Sequence, residues 1–456
     1  MTHGEPYDVI VIGGGPAGAT AAREMAKRDL RVVLLERSAF PRFHIGESFL
    51  PANFAMIKQL GLGDALARLP QVPKAGATFM LGHGRQEPVD FWFKDGLGNI
   101  EPMAFNIERS QFDAMLLDAA RESGVEVRVG VKVQKIAHLA DGDVRLETSN
   151  GPVGGRYLVD ASGSATVVGR HLRTRRVLVD LKMVAYFGHF TGVVRRDGIR
   201  GGFPTVVMCE DGWFWLIPID DERTSVGLVA QESLARRVGV PARGMLRWAI
   251  ERCPVVAMLC ADAQPHVIDG GEANQNMVEA DFSYVCRPYA GPGYFLCGDA
   301  ATFVDPVFST GVCLGMVSGD QAAKAIAAIV HDGRRPATAR REFLRYIEGS
   351  SSAFFRLVRL FYRHEFRELF LQGQGPFSIH RATLTMLSGY VFPRPRFAVR
   401  WRMAIFGMLI RLQEWFRIGP RQERFWLERS VPGATMPCVR PVDEHVAAPA
   451  KAGATG

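Results

Sequence analysis

Residues 7–18 read Y-D-V-I-V-I-G-G-G-P-A-G. Tyr7 to Ile12 is a short run rich in β-branched residues, the pattern of a strand buried on both faces of a parallel sheet. Gly13, Gly15 and Gly18 follow at G-x-G-x-x-G spacing, and A-T-A-A-R-E-M-A-K-R then has helical character. A second apolar strand, R-V-V-L-L-E, ends at Glu36, roughly 20 residues past the first glycine, where a ribose-binding acid is expected. Gly13 permits the tight turn, Gly15 lets a pyrophosphate approach the backbone, and Gly18 lets helix and strand pack closely. The helix N-terminus offers free N–H groups to phosphates. The stretch predicts a Rossmann-type α/β domain that binds a dinucleotide, against the plainer reading of a glycine-rich turn in a βαβ unit.

Composition limits what can surround that domain. A chain of 456 residues has room for two or three domains. Its 47% hydrophobic and 22% charged residues suit a water-soluble globular protein, and no apolar run approaches the roughly 18 residues of a membrane span. The N-terminal M-T-H-G-E-P-Y-D has neither a basic segment nor an apolar core, so a cytoplasmic location is expected. Cysteines at 209, 253, 260, 286, 297, 313 and 438 are odd in number and form no C-x-x-C pair. They point to reduced thiols, with neither a disulfide frame nor a metal site.

Three later segments distinguish FAD from NAD. I-E-R-S-Q-F-D-A-M-L places Arg109 at the head of a helix, L-V-D-A-S-G at 158–163 is a strand ending in a small-residue turn, and Y-F-L-C-G-D at 294–299 delivers Gly298-Asp299 to the start of another helix. This set resembles the aromatic-hydroxylase-like FAD-dependent enzymes. The resemblance implies that Arg109 reaches the FAD phosphates or ribose and that Asp299 hydrogen-bonds the ribityl chain or pyrophosphate. A solvated charge at a helix start is the plainer reading of Arg109. No second dinucleotide fingerprint follows, so no NAD(P)H domain is expected.

Three further stretches carry chemistry. D-G-W-F-W-L-I-P at 211–218 puts Trp213 and Trp215 on one face of a strand, because side chains alternate. F-V-D-P-V-F-S-T-G at 303–311 leads into a long apolar helix over about 310–330, whose first amides at Thr310 and Gly311 could hold a small anion; a capped turn into a buried helix fits equally. Lys74 lies in Q-V-P-K-A-G-A-T-F, an apolar setting without an acidic neighbour, where an ammonium can donate hydrogen bonds or lose its proton on desolvation. Most lone lysines are simply solvated.

Together these stretches resemble the flavin-dependent halogenases. W-x-W-x-I-P of that family matches at Trp213, Trp215, Ile217 and Pro218, F-x-x-P-x-x-S-x-G matches at Phe303, Pro306, Ser309 and Gly311, and K-x-G-A-T-F matches around the catalytic lysine, here Lys74. The likeness runs from residue 7 to about 330. It implies cofactor contacts from Gly13, Gly15, Ala17, Gly18, Glu36 and Arg37. Further contacts come from Glu47 and Ser48 in the G-E turn, from Arg109 and Asp299, and from Pro306, Gly311 and Val312. Chloride or bromide would wait at Thr310 and Gly311.

The chemistry implied is that a separate NAD(P)H-dependent reductase delivers FADH2, O2 gives a flavin C4a-hydroperoxide, and halide becomes hypohalous acid. Lys74 would direct that acid, as hydrogen-bond donor or transient haloamine, onto an electron-rich aromatic ring. Trp213 and Trp215 would keep the ring from the oxidant; core packing is the plainer role for both. The tryptophan-type enzymes carry Glu before S-T-G, whereas this chain has Phe308, as in the branch acting on phenols and pyrroles, sometimes on an acidic carrier protein. An FAD-dependent aromatic monooxygenase or alkene reductase on the same scaffold is the competing enzyme reading, and a non-catalytic flavoprotein is the reading outside enzymes.

The expected organisation is an FAD domain over 1–75, 96–175 and 285–335, an antiparallel β-sheet substrate domain over 76–95 and 176–284, a helical C-terminal region over 336–430 and a disordered tail over 431–456. His44 is expected in a turn near the flavin, and His189, in an alternating aromatic strand, is expected to be a satisfied core or rim residue without a role. Residues 340–430 hold 17 arginines, no lysine and seven acids. Solvated charges, a docking face for an acidic carrier protein and a membrane-surface contact all fit that composition, whereas no nucleic-acid module is present.

Overall fold

The computed structural model describes residues 6–267, 277–280, 283–373 and 375–433; residues 434–456 of the expected tail lie outside them. The opening run forms the strand Tyr7–Ile12, with Val9, Ile10 and Val11 fully buried. It sits inside a parallel set ordered Tyr294–Leu296, Gly151–Asp160, Tyr7–Ile12, Val32–Glu36, Glu126–Val129. Three strand ends, at Ile12, Asp160 and Leu296, lie side by side in register. In such sheets ligands bind beyond the carboxyl ends of the strands.

Helices Pro16–Ala26 and Gly311–Val330 pack on each other through small residues, and a Cβ on Gly319 would lie 2.5 Å from the Ala17 carbonyl oxygen. Contrary to the expectation of no such run, Gly311–Val330 is long and apolar enough to cross a membrane. Met316, Ala322, Ala323 and Ile326 are fully buried against the first domain, so it serves here as a core helix.

The second sheet is ordered Gln264–Pro265, Met183–Thr191, Thr224–Gln231, Gly212–Pro218, Thr205–Cys209, Gly76–Leu81, Val89–Trp92. It is antiparallel except between Thr205–Cys209 and Gly76–Leu81, which run parallel. The exception arises because these two strands belong to separate excursions of the chain out of the first domain. The outer face, with Val207, Phe214 and Leu228, is covered by short helices Glu232–Val238, Met245–Ile250 and Pro254–Leu259, which interrupt the antiparallel sheet expected here. The inner face carries Phe79, Phe187, Trp213 and Trp215.

Helices Pro336–Phe361, His364–Phe370, Ile379–Leu387 and Phe397–Phe416 close over that inner face. Several of their arginines are not simply solvated. Arg359 pairs with Asp180 at 2.7 Å, Arg363 with Glu414 at 2.6 Å, and Arg367, 1% exposed, lies 3.2 Å from Glu210.

Candidate active site

A cavity of about 500 Å³ extends from the strand ends of the first domain to the inner face of the second sheet. At its first end lies the glycine turn. Gly13 has φ +102°, and a Cβ there would sit 2.3 Å from the Ala161 carbonyl oxygen. A Cβ on Gly18 would meet the Gly13 carbonyl at 1.9 Å, so Gly18 acts through helix–strand packing and does not line the cavity. At Gly15 the one neighbour within 4 Å of an added Cβ is Arg42 Nη2 at 3.5 Å. That open cradle, faced by a guanidinium and the start of helix Pro16–Ala26, fits the pyrophosphate of FAD. Ala17, Glu36 and Arg37 line the same end. The Glu36 carboxylate accepts hydrogen bonds from the amides of Gly14 at 2.7 Å and Ser38 at 2.8 Å, bracing the turn in addition to facing the cavity.

The middle of the cavity is built by residues 42–48, Arg109 and Asp299. Arg109 is buried. It donates two bonds to Asp113, at 2.8 and 3.0 Å, and one to the Ile45 carbonyl at 2.9 Å, so the solvated reading does not apply. Burial pushes the Asp299 carboxyl up to about 6, against the pull of Arg109. Burial also brings the His44 imidazole down to about 4, aided by the Arg109 charge, leaving it neutral near pH 7.

His189 is the buried, paired residue expected of a core histidine, and its partner is a cavity residue. Its Nε2 lies 2.9 Å from Glu47 Oε1, and both side chains are 1% exposed. Burial alone would raise the Glu47 carboxyl, but the His189 contact and backbone amides hold it below its ordinary value. Arg42 is a cavity residue that the sequence did not single out, and the pairing of His189 with Glu47 was equally unforeseen. The signal for Arg42 was its place in F-P-R-F-H-I-G-E-S beside the glycine turn; His189 lies 142 residues from its partner and carried no local signal.

The cavity wall also holds Lys74, 3% exposed, on the strand Val72–Lys74. Nζ donates to Ser48 Oγ at 2.9 Å and to the Phe49 carbonyl at 2.8 Å, and lies 5.3 Å from the Phe93 ring centroid. Burial brings its ammonium down to about 7. Ser48, expected to touch cofactor, is therefore a partner of Lys74 in the cavity wall. Lys74 and the glycine turn line one continuous cavity.

Trp213 and Trp215 line it too, with ring centroids 5.8 Å apart and planes at 50°. Trp215 donates to Ser225 Oγ at 3.1 Å, and a Cβ on the facing Gly227 would lie 2.1 Å from its ring, so only glycine fits there. Trp213 donates to Tyr362 Oη at 3.1 Å, Tyr362 donates to Asp305 at 2.6 Å, and Asp305 accepts the Val307 amide at 2.9 Å. The tryptophan strand is thereby tied to the 303–311 loop. Both indoles also belong to the core cluster, so the packing and wall roles coexist. Ile217 lines the cavity and Pro218 does not.

In the loop, Ser309 adopts φ +54°, a conformation that side chains other than glycine rarely take and that concentrates at functional sites. Pro306, Thr310, Gly311 and Val312 line the cavity where helix Gly311–Val330 begins and its first amides have no intrahelical acceptor. Phe308 is buried edge-on to Phe361 at 5.6 Å, and Leu384 and Leu387 of the C-terminal region complete an apolar wall. Burial pushes the Asp305 carboxyl up to about 7.

A dinucleotide cradle and a buried lysine in the wall of one aromatic-lined cavity define the site of an FAD-dependent oxidoreductase. A family model described as an FAD binding domain matches residues 6–339. A tryptophan 2-halogenase of Chondromyces crocatus is 30% identical over 409 residues, spanning 84% of this chain and 76% of that protein. The 1H-pyrrole-2-carbonyl-(peptidyl-carrier protein) brominase of Pseudoalteromonas luteoviolacea is 30% identical over 353 residues, 75% of this chain and 83% of that one. Among solved structures, the myxobacterial chondrochloren halogenase CndH, described as a new variant of FAD-dependent halogenases, matches with TM-score 0.73 and 30% identity over 89% of this chain and 97% of its own. The chain belongs to the flavin-dependent halogenases. It is an enzyme of secondary metabolism that uses reduced FAD, O2 and halide.

Proposed function

We propose that the substrate is an electron-rich phenol or pyrrole, free or held on an acidic carrier protein, and that Lys74 carries the halogen to it. When bound and reduced, the flavin supplies the oxygen activation that turns halide into hypohalous acid. A separate flavin reductase, as flavin-dependent halogenases need, would supply the reduced cofactor. The amides at Thr310 and Gly311 hold the halide by hydrogen bonds without a charged side chain. Trp213, Trp215 and Ile217 present an apolar surface that excludes water and keeps the aromatic ring apart from the cofactor end.

Lys74 acts in either protonation state. As ammonium it has a third N–H to donate to the oxygen of hypohalous acid. As amine it keeps both bonds, to Ser48 and Phe49, and has a free lone pair. The amine takes the halogen as N–X with release of water; the ring then takes the halogen and returns a proton to nitrogen. Phe308, standing where the tryptophan-type enzymes carry Glu, removes a carboxylate that could hold an amino acid's ammonium, which supports a phenol or pyrrole.

The carrying observation is that Lys74 is buried in the wall of the same cavity as the cofactor cradle. The test is mass spectrometry after incubation with FAD, a reductase, NADH and chloride or bromide, against free phenols, free pyrroles, their carrier-tethered forms and tryptophan. A halogen isotope pattern on a phenol or pyrrole supports the proposal. Halogenation of tryptophan alone would overturn the substrate class, and hydroxylation without halogenation would overturn the roles.

A further inference from the structure

We infer that the helix Phe397–Phe416 is a docking face for an anionic lipid surface. Its inner stripe, Val399, Phe406, Ile410 and Gln413, is buried against the other C-terminal helices. Its outer side is unusual for a protein surface in water. Phe397 is 72% exposed, Met408 52%, Trp415 71% and Phe416 69%, with Ile418 at 50% just beyond the helix end. Phe397, Trp401, Ala404, Met408 and Trp415 are spaced so that they share one face, with Arg411 among them and Phe416 beside its end. Elsewhere the exposed large apolar residues, such as Val179 and Met258, are scattered along the chain, which is ordinary for a soluble surface, whereas a contiguous patch marks an interaction site.

The charge on this segment has one sign. Residues 394–418 contain six arginines and a single acid, Glu414, which is held by Arg363 from the neighbouring helix. Among the described residues no carboxylate pairs with Arg400, Arg411 or Arg417, all of them exposed. Aromatic and long apolar side chains flanked by arginine are the composition of a helix that lies in a bilayer interface. The apolar groups enter the acyl boundary, tryptophan sits at headgroup level, and the arginines meet anionic lipid. Other occupants fit less well. A second copy of the chain on this face would bring arginine against arginine. An acidic protein would match the arginines but gives no reason for Phe397, Met408, Trp415 and Phe416 beside them.

The placement also bears on the reaction. Phe406 and Leu409 of this helix line a small cavity, of about 60 Å³, whose wall includes Phe91, and Phe91 also lines the main cavity. The lipid-facing helix therefore backs the aromatic wall of the active chamber. The inference does not depend on the substrate proposed above.

Flotation of the full-length, FAD-loaded protein tests it, with vesicles of phosphatidylcholine alone and of phosphatidylcholine containing phosphatidylglycerol. The protein is expected to float with the anionic vesicles only, more weakly as salt rises. The double variant Trp415→Ser with Phe416→Ser, and separately Arg400→Gln with Arg411→Gln, should each weaken association about tenfold or more. Val179→Ser, at an exposed site elsewhere, should leave it unchanged. No flotation at low salt would overturn the inference. So would flotation unaffected by the Trp415/Phe416 change, or capture of an acidic carrier protein through Arg400 and Arg411 without any vesicle binding.

Discussion

Replacing Lys74 by methionine should stabilise the protein while it abolishes product. Methionine keeps the unbranched apolar stem, one atom shorter, and loses the ammonium with its charge and its two hydrogen bonds. Burial moves the lysine from its ordinary 10.5 to about 7. At about 1.4 kcal/mol per tenfold change in proton affinity, the buried ammonium costs about 5 kcal/mol below pH 7. Between pH 7 and 10.5 the unfolded chain binds the proton and the folded chain does not, so stability from this group rises with pH across that window.

The variant also leaves Ser48 Oγ and the Phe49 carbonyl without their donor, a loss of about 1–3 kcal/mol. The net expectation is a gain of about 2–4 kcal/mol near pH 7, shrinking by about 1.4 kcal/mol per pH unit above it and reversing by about pH 10. Urea unfolding of both proteins at several values between about pH 6.5 and about pH 9.5 reads this gap directly. A variant no more stable than the parent near pH 7, or a gap that does not change with pH, would show that the ammonium is compensated in its pocket and would refute the reasoning.

Tyr362→Phe removes the acceptor of Trp213 and the donor of Asp305. It should lower stability by about 1–3 kcal/mol in urea and raise hydrogen peroxide released per halogenated product, since the indole is no longer fixed. Gly18→Ala should fail to fold around FAD, because its Cβ would meet the Gly13 carbonyl at 1.9 Å. Gly15→Ala should fold normally and bind FAD at least about tenfold more weakly, read by flavin fluorescence titration, because its methyl enters the phosphate approach. His364 is held above its ordinary 6.5 chiefly by its hydrogen bond to Glu210. That contribution is complete below the unfolded value and is lost as pH rises through the folded one, so His364→Gln should lower the urea midpoint more near pH 6 than near pH 8.

What could be read from the sequence was local. The strand, turn and helix of residues 7–26 follow from β-branched content and glycine spacing, and those rules act over a few residues. The long helix after the 303–311 loop and the apolar setting of Lys74 were visible for the same reason. The parallel pairing of Thr205–Cys209 with Gly76–Leu81 was not, because the chain passes through the first domain between them. Nor could the Glu47–His189 contact be found: alternation shows only which face His189 occupies, and its partner comes from another domain. Helices of six or seven residues, such as Met245–Ile250, are too short for a helical period to show. Arginine counts alone did not reveal that Arg367 is sealed beside Glu210 while Arg400 and Arg411 face solvent.

The most direct measurement compares the parent with Lys74→Ala under reduced FAD, O2 and bromide, following flavin reoxidation by absorbance and the aromatic product by mass. If the oxidant is made at the cofactor end and delivered by the lysine, both proteins reoxidise the flavin at the same rate and only the parent yields the bromine isotope doublet. Brominated product from Lys74→Ala at the parent's rate would contradict that division of labour.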